Sequence, residues 1–270
     1  MKKERVLITV KTYPTISKAY SELVCTAGIR EDGSWIRIYP VPFRKLFDKY
    51  DKFQWVELDV VENKSDKRHE SHRLLSPDAI TLHEKMGTEN NWQERKSYVF
   101  EKGSVYENLD ELIQLNKSGT LSLATFKPTK ILDLVVEEVD REWDKGKIEA
   151  LKQQAKQGDL FSDTPEYFSV VNKLPYKFSY RLLDDKGKES TMMIEDWEIG
   201  MLFWNCLKRH HGDEKKAILD VRKKYIDDFA NTKDLHLFLG TTLQYDGWAQ
   251  NPFIIIGVFA PPITLQTELF

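Results

Sequence analysis

From Ile199 to Leu207 the chain is apolar almost all round, and a helix of that kind has no face to offer to water. Such a helix has to sit inside a domain with other elements packed about it. The stretch from Met193 to Leu207 therefore predicts the central helix of its domain. Glu195, Asp196 and Glu198 stand at its start, with Trp197 among them. With Glu195 as the N-cap, Glu198 falls at the third helical position of a capping box, and acids there offset the positive end of the helix dipole. Asp196 is then the acid that capping least explains. The competing reading makes Asp196 or Glu198 a general base or a stabiliser of developing positive charge, with Trp197 keeping water away from the carboxylate.

The 270 residues suffice for two ordinary domains or one large core. With 41% hydrophobic and 31% charged residues, the composition is that of a folded soluble protein. No run reaches the length of a membrane span. Met1–Arg5 leads straight into Val6–Val10, without the apolar segment of a signal peptide. Cys25 and Cys206 have no spacing that builds a zinc site, so a reduced, cytoplasmic protein is expected. A net charge of −3 argues against a generally basic nucleic-acid coat but leaves room for a local basic patch.

Along the chain, residues 5–11 read as a strand. Ala19, Tyr20, Leu23, Val24 and Ala27 then recur at helical spacing up to Gly28. Trp35–Tyr39 alternates, with Ile36 and Ile38 toward the core and Trp35, Arg37 and Tyr39 on the other face. Pro40 and Pro42 end that strand. Val56, Leu58 and Val60 mark the next one, and residues 63–71 form a polar loop carrying Asp66, Arg68 and Glu70. Residues 92–115 read as helical, and 121–126 and 131–136 as strands. The fold class is α+β: a β-rich N-terminal domain over 1–140, a linker over 141–175, a C-terminal mixed α/β domain over 176–262 built on the buried helix, and a tail over 263–270. The C-terminal domain opens with a hairpin over 176–183 and 190–194. It continues through a charged helix from 214 to 229 and closes with strands at 235–239 and 253–259. The last is apolar on both faces, which predicts a central position in a sheet.

Trp35, Arg37 and Tyr39 form a platform on which bases can stack, with the guanidinium free for a phosphate or a base edge. Tyr13, Arg44, Lys45, Arg68 and Arg73 extend that candidate nucleic-acid surface. The alternative is an inter-domain contact that covers the same rings. Glu22, on the polar side of the first expected helix, joins Asp196 and Glu198 as a candidate catalytic carboxylate. The Asp66–Glu70 loop reads as a solvated charge cluster. Neither His69-x-x-His72 nor His210–His211 has a third ligand, so no metal and no cofactor is expected, and phosphate-loop, nucleophile-elbow and dinucleotide fingerprints are absent.

Gln266-Thr267-Glu268-Leu269-Phe270 and Gln157-Gly158-Asp159-Leu160-Phe161 both fit Gln-x-x-Leu-Phe. The pattern resembles the peptide that bacterial replication and repair proteins insert into the sliding clamp. There Leu and Phe anchor in an apolar pocket and Gln makes an orienting hydrogen bond. Gln266, Leu269 and Phe270 are the partner-binding candidates, against the alternative that the tail simply tucks into a groove.

Lys11-Thr12-Tyr13-Pro14-Thr15 with Ser17, Glu22–Gly28, Trp35–Arg44, Ile194–Glu198 and Pro252–Gly257 resemble a poorly characterised bacterial family associated with mobile and phage-defence loci. A looser similarity is to defence DNA glycosylases that remove modified cytosines, though no catalytic motif of theirs matches residue by residue. The N-terminal strand pattern is similar to PUA or ASCH-type barrels, which bind RNA or modified bases. These resemblances imply DNA as the partner and hydrolysis of the N-glycosidic bond of a modified base as the activity. A non-catalytic reader of modified or single-stranded nucleic acid is the alternative, and a nuclease is disfavoured by the lack of a metal-binding acid set.

Overall fold

The computed structural model describes residues 2–16, 22–43, 49–76, 80–158 and 170–264. Its N-terminal part is built from β1 (Lys2–Lys11), β2 (Thr15–Ile16), β3 (Glu22–Arg30), β4 (Trp35–Pro42), β5 (Gln54–Glu62), β6 (Ser71–Leu74) and β7 (Ile80–Lys85). The order β1-β3-β4-β6-β5 closes on itself because β5 also pairs with β1, giving a five-stranded barrel flanked by β2 and β7. Only β4 and β6 run parallel among these pairs. Val6, Ile8, Ile36, Ile38, Val56, Leu58 and Val60 fill the interior, each buried aliphatic contributing roughly 1.5–3 kcal/mol.

From Glu22 onward, the expected first helix is a strand. It pairs with β1 on one side and β4 on the other, and nearly every residue in it is buried. A strand buried on both faces has apolar residues at every spacing, including i, i+3 and i+4, so the helical pattern was coincidental.

Past the barrel come α1 (Glu89–Lys96), which runs on as wide turns through Lys102, then β8 (Val105–Tyr106), α2 (Leu109–Lys117), β9 (Leu123–Phe126), β10 (Lys130–Glu138) and α3 (Lys145–Gly158). The chain continues through β11 (Tyr176–Leu183), β12 (Glu189–Met193), α4 (Trp197–Arg209), α5 (Glu214–Arg222, prolonged as wide turns to Ala230), β13 (His236–Thr241) and β14 (Phe253–Phe259). Two sheets result, β10-β11-β12 and β14-β13-β9-β8. The strands at 123–126 and 130–138, expected in the N-terminal domain, pair with β13 and β11 and so belong to the C-terminal sheets.

β14 closes one end of its sheet and does not lie at its centre. Its two apolar faces serve two cores. Phe253, Ile255 and Val258 pack with α4 and β11, while Ile256 and Phe259 pack with Leu7, Val10, Phe53 and Trp55 on the outside of the barrel. Its free edge is covered by the segment before α4, where Glu195 N–H donates to the Ile255 carbonyl at 2.8 Å and Ile194 bridges Ile255.

α4 buries one face, with Ile199, Gly200, Phe203 and Cys206 buried, while Met201, Leu202, Trp204 and Leu207 are partly buried and Asn205 is exposed, so the helix is not enclosed all round as expected. Gly200 lies against Tyr13 of the barrel side, and a Cβ there would stand 2.3 Å from the tyrosine ring. Alanine is the better helix former by about 1 kcal/mol, yet overpacking of this kind costs about 1–3 kcal/mol. Gly200→Ala is expected to lower the urea midpoint. A rise would mean that Tyr13 moves aside freely.

Candidate functional site

A cleft of about 810 Å³ opens where the barrel, α1, α4, α5 and the end of β14 meet. Its lining carries six basic side chains (Lys11, Lys52, Lys85, Arg95, Lys224, Lys233) against three acidic ones (Asp51, Glu198, Asp228). In a chain whose net charge is −3 this is a local basic excess, although Lys85 pairs with Asp51 and Lys224 and Lys233 pair with Asp228. Tyr50, Phe53, Trp92, Trp197, Tyr225 and Phe229 supply aromatic wall. The Arg95 guanidinium sits 4.4 Å from the Phe53 ring centre and 5.1 Å from that of Trp92, and is oriented by two hydrogen bonds to the Met86 carbonyl.

At one wall lies an ion cluster drawn from three elements. The N-cap of α4 is Asp196, not Glu195 as expected. Its backbone is extended and its carboxylate accepts the Glu198 N–H at 3.2 Å. The other carboxylate oxygen accepts the Val258 N–H of β14 at 3.2 Å, and Lys52 Nζ approaches both oxygens at 3.3–3.4 Å. Lys52 also donates to Glu198 at 3.0 Å. Burial pushes the Asp196 carboxyl up to about 6, against the pull of Lys52. Burial also opposes the charge on Lys52, but Asp196 and Glu198 outweigh it and raise its pKa. Asp196 is wholly buried, whereas the Glu198 side chain is 56% exposed and faces the cleft.

The other sequence candidates lie elsewhere. Arg37 is buried, donating to the Ser122 hydroxyl at 2.7 Å and its carbonyl at 3.1 Å. Trp35 packs edge-on against Phe238, and Tyr39 is half-buried. Trp35 and Arg37 thus belong to a contact between the barrel and the C-terminal sheet. Arg68 is buried beside it, paired with Asp66 and donating to the Thr241 carbonyl, while Glu70 accepts from the Ser122 N–H at 2.7 Å. The Asp66–Glu70 loop, expected to be solvated, turns those three side chains inward because they satisfy polar groups of the opposing sheet. Glu22 is buried and accepts the Val171 N–H. Tyr13 is buried too, donating to the Asn172 carbonyl at 2.7 Å and accepting from Trp204 at 2.9 Å. Arg73 is exposed on β6. Arg44, Lys45, Gln266, Leu269 and Phe270 lie outside the described residues, as does the Leu160-Phe161 pair.

Lys52, Arg95, Lys224 and Lys233 were missed as a set, because they come from three separate segments of the chain with no shared spacing. The one local signal was the excess of basic residues between Arg44 and Lys52. Among the described residues no helix is long and apolar enough to cross a membrane, and no group of three or more His, Cys, Asp and Glu is placed to hold a metal ion.

Two expectations separate these networks from surface decoration. A carboxyl whose folded pKa lies above its unfolded value contributes stability that is complete below about pH 4 and is lost as pH rises through about 6. Lys52 opposes that loss. Lys52→Met should therefore cost about 3–5 kcal/mol near pH 8 and distinctly less near pH 5, where Asp196 takes up a proton. Urea unfolding at the two pH values measures this, and equal losses would remove the ion cluster from the account. Arg37→Met should likewise cost about 3–5 kcal/mol, where a solvent-facing arginine would cost less than about 0.5.

Residues 2–101 match the family described as domain of unknown function DUF8758, and residues 104–270 match domain of unknown function DUF8757. The chain belongs to the DUF8757 family over its larger, C-terminal part. No curated protein matches it. A solved structure described as a murine DNA binding protein bound with double-stranded DNA is similar to it at a TM-score of 0.31 and 7% identity, with 98% of each chain covered.

Proposed function

We propose that this DUF8757 family member acts on nucleic acid at the cleft, hydrolysing the N-glycosidic bond of a modified base and leaving an abasic site. The observation that carries this is the cleft lining: a basic excess, aromatic walls and the half-exposed Glu198 carboxylate within a single 810 Å³ space. A nucleotide taken out of its stack needs a pocket of this kind, with rings to hold the base and cations to hold the phosphates. Of the candidate carboxylates, only Glu198 has a free approach to such a ligand, since the Asp196 oxygens are engaged and Glu22 is buried on another face.

In this reading Glu198 stabilises the oxocarbenium-like sugar and takes a proton from the attacking water. The oxygen bonds to the anomeric carbon, the C–N pair leaves with the base, and the proton is passed to that base. Lys52 orients Glu198, and Asp196 positions Lys52. Lys52 is not a nucleophile, because an amine held as a cation has no lone pair to offer. The roominess of the cleft suits a base carrying an added group, and the resemblance to defence-locus proteins supports foreign, modified DNA as its source.

A second reading, a binding module without catalysis, is favoured by one fact: Lys52 pairs with both Asp196 and Glu198 and so leaves neither acid without a counter-ion. The two readings part on one experiment. Oligonucleotides with modified or plain cytosine are incubated with the protein, then treated with alkali to reveal abasic sites. Glu198→Gln is expected to slow their appearance by about 10²–10⁴-fold while leaving binding largely intact. Tight binding with no abasic sites from any substrate would decide for the reader.

A further inference from the structure

The loop over residues 242–252 joins β13 to β14 at the end of the sheet away from the cleft, separated from it by the length of β13, about 20 Å. It presents the most exposed large apolar side chains of this region: Trp248 at 67%, Leu243 at 54% and Tyr245 at 44%. The loop is nevertheless firmly built. Buried Asn116 accepts the Gly247 N–H at 2.9 Å and donates to Asp246 at 2.8 Å, and Asp246 accepts from Thr241 at 2.6 Å. Trp248 itself donates its indole N–H to the Gln244 carbonyl at 2.7 Å, and its ring lies 5.8 Å from that of Tyr245. Two rings held outward by an ordered loop form a surface prepared for contact, since an apolar patch of this kind has no role in the fold itself.

The charges beside the patch say what it contacts. The neighbouring 63–70 loop, tied on through Arg68 and the Thr241 carbonyl, exposes Lys64 and Lys67 while turning Asp66 and Glu70 inward. Lys117, next to Asn116, is exposed as well. Asp246, the acid within the patch, has its carboxylate committed to Asn116 and Thr241. Rings flanked by lysines, with Asp66, Glu70 and Asp246 internally engaged, are the chemistry of a stacking platform for unpaired bases and their phosphates.

We infer that Trp248 and Tyr245 form a single-stranded nucleic-acid platform, distinct from the cleft and independent of any chemistry there. Its bases stack on the two rings, and Lys64, Lys67 and Lys117 hold the backbone. The test is fluorescence anisotropy of a labelled poly(dT) strand of about 15 nucleotides, near the upper end of site sizes for single-strand binding folds. Trp248→Ala should weaken binding by about five- to 150-fold, the range for loss of one stacked base. Trp248→Phe should retain most of the affinity. Lys67→Ala should flatten the dependence of log affinity on log salt by about 0.7. Unchanged affinity in both Trp248→Ala and Tyr245→Ala overturns the proposal. So does loss of a concentration-dependent self-association in Trp248→Ala, which would make the patch an interface between two copies of the chain. Because strand binding is read without base release, a protein that makes no abasic sites leaves this inference standing, and the converse also holds.

Discussion

The Asp196 carboxylate is the point through which the parts of this molecule are connected. One oxygen caps the central helix, the other takes a backbone N–H from the edge of β14, and both face a lysine from the barrel side. Each contact alone is worth a fraction of what it costs to bury a charge, so the group is tolerable only when all are made together. The contacts therefore act as a condition on the fold. Barrel, helix and sheet must meet at one register, and the cleft opens beside that junction with Glu198 at its wall.

A second junction does the same work without a cavity. Arg37, Asp66, Arg68 and Glu70 come from one face of the barrel and its loop, and they close on Ser122 and Thr241 of the C-terminal sheet. Polar groups chosen this way set orientation better than apolar packing does, because a slip leaves donors and acceptors unpaired at about 1–3 kcal/mol each. Between the two junctions lies the apolar contact of Val10, Phe53 and Trp55 with Ile256 and Phe259. Burial supplies the adhesion there, and the polar networks supply the alignment.

This arrangement explains why the surface candidates divided as they did. Arg37 and Arg68 have the residue types of a nucleic-acid surface, and so do Lys52 and Arg95. The first two lie where the C-terminal sheet covers them, and the other two where a gap is left. Residue type is the same in both cases, and each pair comes from two different kinds of segment, so no local pattern separates them.

The chain's own pattern determined a good deal: a helix with a buried face after Asp196, the inward Ile36 and Ile38, the hairpin into α4, and an α+β class with a β-rich beginning. Each follows from the periodicity of short segments, a property that neighbours along the chain already carry. Tertiary structure decided the rest. It made a strand of Glu22–Arg30, because pairing on both sides outweighs a helical coincidence. It moved the N-cap to Asp196, because β14 and Lys52 bind the same carboxylate. It turned Trp35 and Arg37 into an internal contact and gathered basic residues from three distant segments into one cleft. Those outcomes depend on which surfaces meet, and that is set by the sum of contacts over the whole chain.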